Sequence, residues 1–284
     1  MTIAVTGGNG EFGRAVLGAL HKRACEPLVA TVRDLAKVHR IPGVSYRPGD
    51  FDQPDSLRAS LSGVDAVLIN ATFFGADPSL RYPRVSSAIR TAAEAGVGRI
   101  VLTSWPDLER ATLPAVQDYK RLEALATASG PAWTILRLSY GLPVALARDV
   151  VWAKAGGELV APAAGARVTP ADVSDLAEAA AVVLARHEHG DAIYELSGPD
   201  SITWEHLAEL AGLPLRAVCD DEYRDYLTRF SLPAEVAQQL IDMYADFRSD
   251  WASKPTATMR ELIGHSPVPG IDAVSRQVSR FPAL

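Results

Sequence analysis

Few residues in this chain have types and spacing that could do chemistry, and the most ordered of them are glycines. Gly7, Gly10 and Gly13 recur at intervals of three, directly after the apolar run Ile3-Ala4-Val5 and directly before a helical pattern carrying Val16, Leu17 and Leu20. Strand, glycine turn and helix in that order make a cradle for the diphosphate of a dinucleotide. One glycine allows the sharp turn, one lets the phosphates reach the backbone, and one lets helix and strand pack closely. The helix start then offers its unpaired N–H groups to the anion. The expected cradle runs from Gly7 through Asn9, Gly10, Glu11 and Phe12 to Gly13. Further along, Ser104 and the adjacent pair Tyr119-Lys120 are the candidate catalytic groups. A hydroxyl from Ser104 or Tyr119 could hydrogen-bond an acceptor oxygen, and Lys120 could supply positive potential.

The elements that must position these groups alternate. Pro27–Val32, Val44–Arg47, Val64–Ala71, Arg99–Trp105 and Pro131–Arg137 read as strands two to six, the fourth continuously apolar as befits a strand buried on both faces. Helices are predicted from Asp52, over about Tyr82 to Ala95, and from near Leu113-Pro114 to Gly130. This is the pattern of a doubly wound parallel α/β sheet of the Rossmann type over residues 1–138. Residues 139–284 read as a smaller, mostly helical substrate lobe. Within it, 139–170 holds short apolar pieces, while the alanine-rich helix 172–186 and the strand 192–196 are expected to pack back on the sheet.

In such a fold the tip of the second strand faces the adenosine ribose. Arg33 stands there with Lys37 four residues on. A guanidinium suits the 2′-phosphate of NADP, which it can bind with paired, charge-assisted bonds. Asp34 could instead take the 2′-hydroxyl of NAD; NADP is favoured. Asn70, Ala71, Thr72 and Phe73 fall at the carboxyl end of the fourth strand, and Thr103 and Ser104 at that of the fifth, where ligands collect in parallel sheets. Phe73, Trp105, Leu138 and Tyr140 are the expected walls of an acceptor site.

Composition narrows the classes. A net charge of −6 argues against nucleic acid as the main partner, because phosphate backbones need clustered cations. The two cysteines, Cys25 and Cys219, have no metal-ligand or disulfide-framework spacing. His187-Glu188-His189 lacks further ligands, so no metal is expected. No Gly-x-Ser-x-Gly occurs, and no apolar run reaches membrane-spanning length. A strand starting near residue 2 leaves no room for a signal peptide, so a cytoplasmic protein is expected.

Taken in order, Thr6-Gly7-Gly8-Asn9-Gly10-Glu11-Phe12-Gly13, Val32-Arg33-Asp34 with Lys37, Gly49-Asp50-Phe51-Asp52, Arg99-Ile100-Val101-Leu102-Thr103-Ser104 and residues 128–137 resemble the NmrA-like atypical short-chain dehydrogenase/reductases. Within that group the chain is most similar to the bacterial NAD(P)H:quinone oxidoreductases, and Gly198-Pro199-Asp200-Ser201-Ile202-Thr203-Trp204 is similar too. The resemblance implies that Asp50 accepts from the adenine amine and that Phe51 packs on the ring. It implies hydride transfer from NADPH to a quinone-like or other conjugated carbonyl compound held over the nicotinamide. The superfamily's usual Tyr-x-x-x-Lys pair is absent. Tyr119 and Lys120 are neighbours, and neighbouring helical side chains diverge by about 100°. Two other classes stay open: a sensor that binds NADP without turnover, and a biosynthetic tailoring enzyme on the same fold. The expected partner is a small-molecule acceptor, with neither nucleic acid nor membrane, and a homodimer stays open.

Overall fold

A computed structural model describes residues 1–24, 27–71, 77–163 and 165–281. Its first half runs β1 (Ile3–Val5), α1 (Glu11–Lys22), β2 (Leu28–Val32), β3 (Val44–Pro48), α2 (Pro54–Ser60), β4 (Ala66–Ile69), α3 (Arg81–Glu94), β5 (Arg99–Ser104), α4 (Ala115–Thr127) and β6 (Ala132–Leu138). The second half continues with α5 (Leu142–Gly156), β7 (Leu159–Ala161), α6 (Val173–Ala185), β8 (Ala192–Leu196), α7 (Trp204–Ala211), β9 (Leu215–Ala217), α8 (Asp220–Leu227), α9 (Ala234–Arg248), α10 (Thr258–Ile263) and α11 (Gly270–Val278).

Seven strands form one parallel sheet in the order β3-β2-β1-β4-β5-β6-β8. Helices cover both faces, which is why β1, β2, β4 and β5 are buried along their whole length and why β1 and β4 are wholly apolar. Alternate residues feed alternate layers. Ile3, Val5, Leu68 and Val101 pack with α1 and α6, whereas Ala4, Val67, Ile69 and Ile100 pack with the layer of α2, α3 and α4. The α1 helix carries Gly13 and Gly18, each costing about 1 kcal/mol of helix propensity. Burial of Phe12, Val16, Leu17 and Leu20, at about 1.5–3 kcal/mol each, outweighs that cost and keeps the helix on the sheet.

The chain order reverses between β1 and β4, so their carboxyl ends splay apart and open a crevice, the usual ligand position in a doubly wound sheet. Here the Thr6 hydroxyl accepts from the Asn70 N–H at 2.9 Å and fixes the two strand ends relative to each other.

Residues 139–170 differ from the sequence reading. Instead of short pieces they hold the fifteen-residue α5, with Pro143 in its first turn and Gly157 left-handed at its end. Its apolar residues do not form one stripe, because the helix is buried nearly all round by α7, α11 and β7; the periodic signal of a half-buried helix is therefore weak. β7 and β9 pair as a separate two-stranded parallel sheet. Among the described residues, no helix is long and apolar enough to cross a membrane.

Candidate functional site

The glycine loop is built as its spacing requires. Gly7 is left-handed at φ +63°, and its carbonyl accepts from the Gly10 N–H at 2.9 Å. A Cβ on Gly13 would lie 2.4 Å from the Gly7 oxygen, so only glycine lets α1 start this close to the turn. Gly10 caps α1 without a side-chain bond, so its first-turn N–H groups are left for another partner.

Above this loop lies a groove of about 780 Å³. Gly7, Asn9, Gly10 and Asn70 line it on the crevice side, Thr31 to Asp34 and Lys37 at the end of β2 and just past it, and Gly49, Asp50 and Phe51 after β3. The Arg33 guanidinium is exposed and makes no hydrogen bond among the described residues. Asp34 is engaged within its own turn: it accepts from the Ala36 N–H at 2.9 Å and lies 3.4 Å from the Lys37 ammonium. Those contacts, the Ala36 bond foremost, hold its carboxyl below the usual range. The Asn9 side chain is a brace. Its Nδ2 donates to the Lys37 carbonyl at 3.0 Å, tying the glycine loop to the segment that carries Lys37.

The expected Thr72 and Phe73 lie outside the described residues. Ala71 is buried, with its N–H donating to the Thr103 hydroxyl at 2.7 Å. Thr103 in turn donates to Asn70 Oδ1 at 3.4 Å, so Thr103 braces the end of β4 and does not itself line the groove. Glu11 also differs from expectation. Its carboxylate accepts from the Tyr140 hydroxyl at 2.9 Å and pairs with Arg280 near the carboxyl terminus. Phe12 is buried, with its ring 5.6 Å from that of Tyr140, and Leu138 is buried in the same layer. Burial, then the Glu11 charge, pushes the Tyr140 phenol well above its ordinary value, so it stays a donor.

The three candidate catalytic groups do not converge. Tyr119 is 3% exposed, its hydroxyl donates to the Ala71 carbonyl at 3.3 Å, and burial raises its phenol. Lys120, one position on, is exposed on the outer side of α4. Ser104 has turned inward: its hydroxyl donates to Glu123 at 2.6 Å, so its proton is committed to a carboxylate. Trp105 is partly buried between the rings of Tyr119 at 5.4 Å and Trp251 at 5.6 Å.

The pattern that defines an NAD(P)H-binding family matches residues 7–181, from the first glycine of the loop into α6. The chain belongs to this NAD(P)H-binding family. Among curated relatives, quinone oxidoreductase 2 of Escherichia coli (strain K12) is 27% identical over 282 residues, covering 96% of this chain and 97% of that one. The NAD(P)H azoreductase of Xenophilus azovorans is 27% identical over 276 residues, covering 92% and 93%. Among solved structures, the triphenylmethane reductase of Citrobacter sp. complexed with NADP(H) superposes with a TM-score of 0.85 at 26% identity, covering 98% of this chain and all of that one.

In this NAD(P)H-binding chain the sequence reading missed two groove residues of note. Thr31 is the last residue but one of β2, and its buried hydroxyl has no hydrogen-bond partner among the described residues. Arg84 reaches the groove from α3. A signal for Arg84 was present: α3 opens with two arginines and no acid in its first turn, against the helix dipole.

Proposed function

We propose that this chain is an NADPH-dependent reductase that delivers hydride to a quinone-like or other conjugated acceptor. The observation that carries the reading is the cationic rim at the tip of β2. Arg33 and Lys37 both line the groove, while Asp34, the residue that could have favoured NAD, is spent on its own turn. The groove fits a dinucleotide: Gly13 keeps the loop clear of any Cβ, α1 offers N–H groups for the diphosphate, and Asp50 and Phe51 stand at the adenine end. The nicotinamide, when bound, supplies the hydride.

The protein's own contribution is orientation. Asn70 and the braces from Thr6 and Thr103 fix the crevice where the nicotinamide end of the cofactor would lie. Trp105 is the wall beside it for the acceptor. A quinone is already electrophilic, so the reaction needs no tyrosine–lysine relay; the oxygen of the reduced acceptor takes its proton from solvent. Relatives named for quinone, azo-dye and triphenylmethane reduction support a flat, conjugated acceptor class. On this reading the protein works in the cytoplasm, and gel filtration with light scattering tests for a homodimer.

The test mixes purified protein, NADPH or NADH, and a panel of quinones, azo dyes and enones, and follows loss of reduced-nicotinamide absorbance. Faster consumption of NADPH than of NADH with at least one conjugated acceptor is expected. Tight NADPH binding with no consumption across the panel would assign the protein as a sensor instead.

A further inference from the structure

We propose that Arg84 is the outer jaw of the adenine slot, its guanidinium plane set by Asp52 so that one face lies on the base. This rests on reading the groove as a dinucleotide site and adds a residue that neither the glycine loop nor the β2 tip accounts for.

The geometry is a clamp made from two distant segments. Asp52 follows Gly49-Asp50-Phe51 at the end of β3, and Arg84 comes from the second turn of α3. Arg84 Nε lies 2.8 Å and 3.0 Å from the two Asp52 oxygens, and Nη2 lies 2.6 Å from one of them. That edge-on grip fixes the plane while leaving both faces of the guanidinium unbonded. A long, flexible side chain is thereby organised before any ligand arrives, which lowers the entropy lost on stacking. Arg84 is only partly exposed, at 22% of its side chain, and it lines the groove together with Phe51 and Asp50.

The choice of adenine over phosphate follows from charge. Arg84 is surrounded by acids: Asp52 in contact, with Asp50 and Asp77 close enough to act on it. A phosphate placed here would meet three carboxylates. A neutral, flat base meets none of that repulsion, gains a cation–π contact with the guanidinium face, and can offer its amine to Asp50. Arg33 and Lys37 differ: Arg33 is acted on by Asp52 only at a distance and grips no carboxylate among the described residues, and Asp34, the acid beside Lys37, accepts from the backbone of its own turn. The groove thus divides its cations: Arg33 and Lys37 for the 2′-phosphate, Arg84 for the base.

Titration calorimetry with NADPH, NADH and adenosine 5′-monophosphate tests this on wild type, Arg84→Ala, Arg84→Lys, Asp52→Asn and Arg33→Ala, with circular dichroism to verify folding. Arg84→Ala is expected to weaken all three ligands by the same factor, on the order of ten-fold. Arg84→Lys is expected not to rescue, because it restores charge without a plane. Asp52→Asn, which loosens the plane and preserves the residue's shape, should give a smaller but equally unselective loss. Arg33→Ala should weaken NADPH alone. Unchanged affinities in Arg84→Ala, a loss confined to NADPH, or full rescue by lysine would each overturn the proposal. Failure of wild type to bind any of the three would instead overturn the dinucleotide reading beneath it.

Discussion

Arg137 on β6 grips Glu123 on α4 with two parallel bonds, Nε to Oε1 at 2.9 Å and Nη2 to Oε2 at 2.8 Å, while its third nitrogen reaches Glu195 on β8 at 3.0 Å. One cation therefore joins the helical layer to two neighbouring strands near the carboxyl end of β6. The Ser104 hydroxyl and the Asp107 N–H complete the coordination of the two acids. With 14% of the Arg137 side chain and 10% of that of Glu123 exposed, removing one partner strands the other in a poorly hydrated place. Arg137→Met is expected to cost about 3–5 kcal/mol, and adding Glu123→Gln should cost less than the sum of the two single changes. Urea unfolding of the three variants checks this; strict additivity would mean that the pair is not coupled.

Turnover is expected to survive loss of the tyrosine–lysine pair. Lys120 is exposed and does not line the groove, so Lys120→Ala should alter kcat by no more than about two-fold, the range of an ordinary surface change. Tyr119→Phe deletes one buried bond to the Ala71 carbonyl and should cost about 1 kcal/mol of stability with little effect on rate. Steady-state kinetics and thermal melting separate the two effects. A hundred-fold drop in kcat (about 2.7 kcal/mol on the barrier) from either change would reinstate a proton relay through α4.

Two glycines on one helix should answer oppositely to alanine. A Cβ on Gly18 meets nothing within 4 Å, so Gly18→Ala should raise stability by about 0.5–1 kcal/mol with cofactor affinity unchanged. A Cβ on Gly13 lies 2.4 Å from the Gly7 oxygen and must push the loop off α1. Gly13→Ala should then weaken NADPH on the order of ten-fold, equivalent to ~1.4 kcal/mol of distortion at the cradle. Melting and titration of both variants decide it, and a Gly13→Ala protein of native affinity would show that the loop has slack elsewhere.

Stability should carry an acid limb from His189. Its Nδ1 is 2.8 Å from the Tyr194 hydroxyl, and its buried Nε2 has no hydrogen-bond partner among the described residues, with Glu188 3.9 Å away. Burial foremost, with help from Arg186 and Arg99, holds its protonation below the ordinary value against the pull of Glu188. The unfolded chain therefore takes up the proton first as pH falls. The stability so held is fully present above about pH 6.5 and is lost as pH falls from there through the lowered folded value. Tm measured from pH 8 to pH 5 should fall more steeply for wild type than for His189→Gln. Parallel curves would remove His189 from the account.

Much of this protein is decided locally and is therefore legible in the order of its residues. The Gly7, Gly10 and Gly13 spacing demands a turn at fixed φ and a close helix start, which are backbone requirements with a residue-type signature. The unbroken apolar runs of β1 and β4 announce strands covered on both faces, and Ala192–Leu196 takes its place as the seventh strand beside β6. The cation after β2 is legible for the same reason, because a strand end has a fixed position relative to the ligand crevice. The α5 helix was not, since burial on all sides erases the stripe that periodicity detects.

What the tertiary structure alone decided is which chemically capable side chains remain available. Ser104 reads as a free hydroxyl until Glu123 arrives from α4, and Glu11 reads as part of the cradle until Tyr140 and Arg280 claim its carboxylate. Arg84 reads as a surface charge on a helix until the fold carries it to the groove against Asp52. Each of these outcomes is set by a partner far along the chain, 269 residues away for Glu11 and Arg280. Backbone geometry leaves a periodic trace in a sequence; the pairing of two distant charges leaves none, because it depends on where whole elements pack.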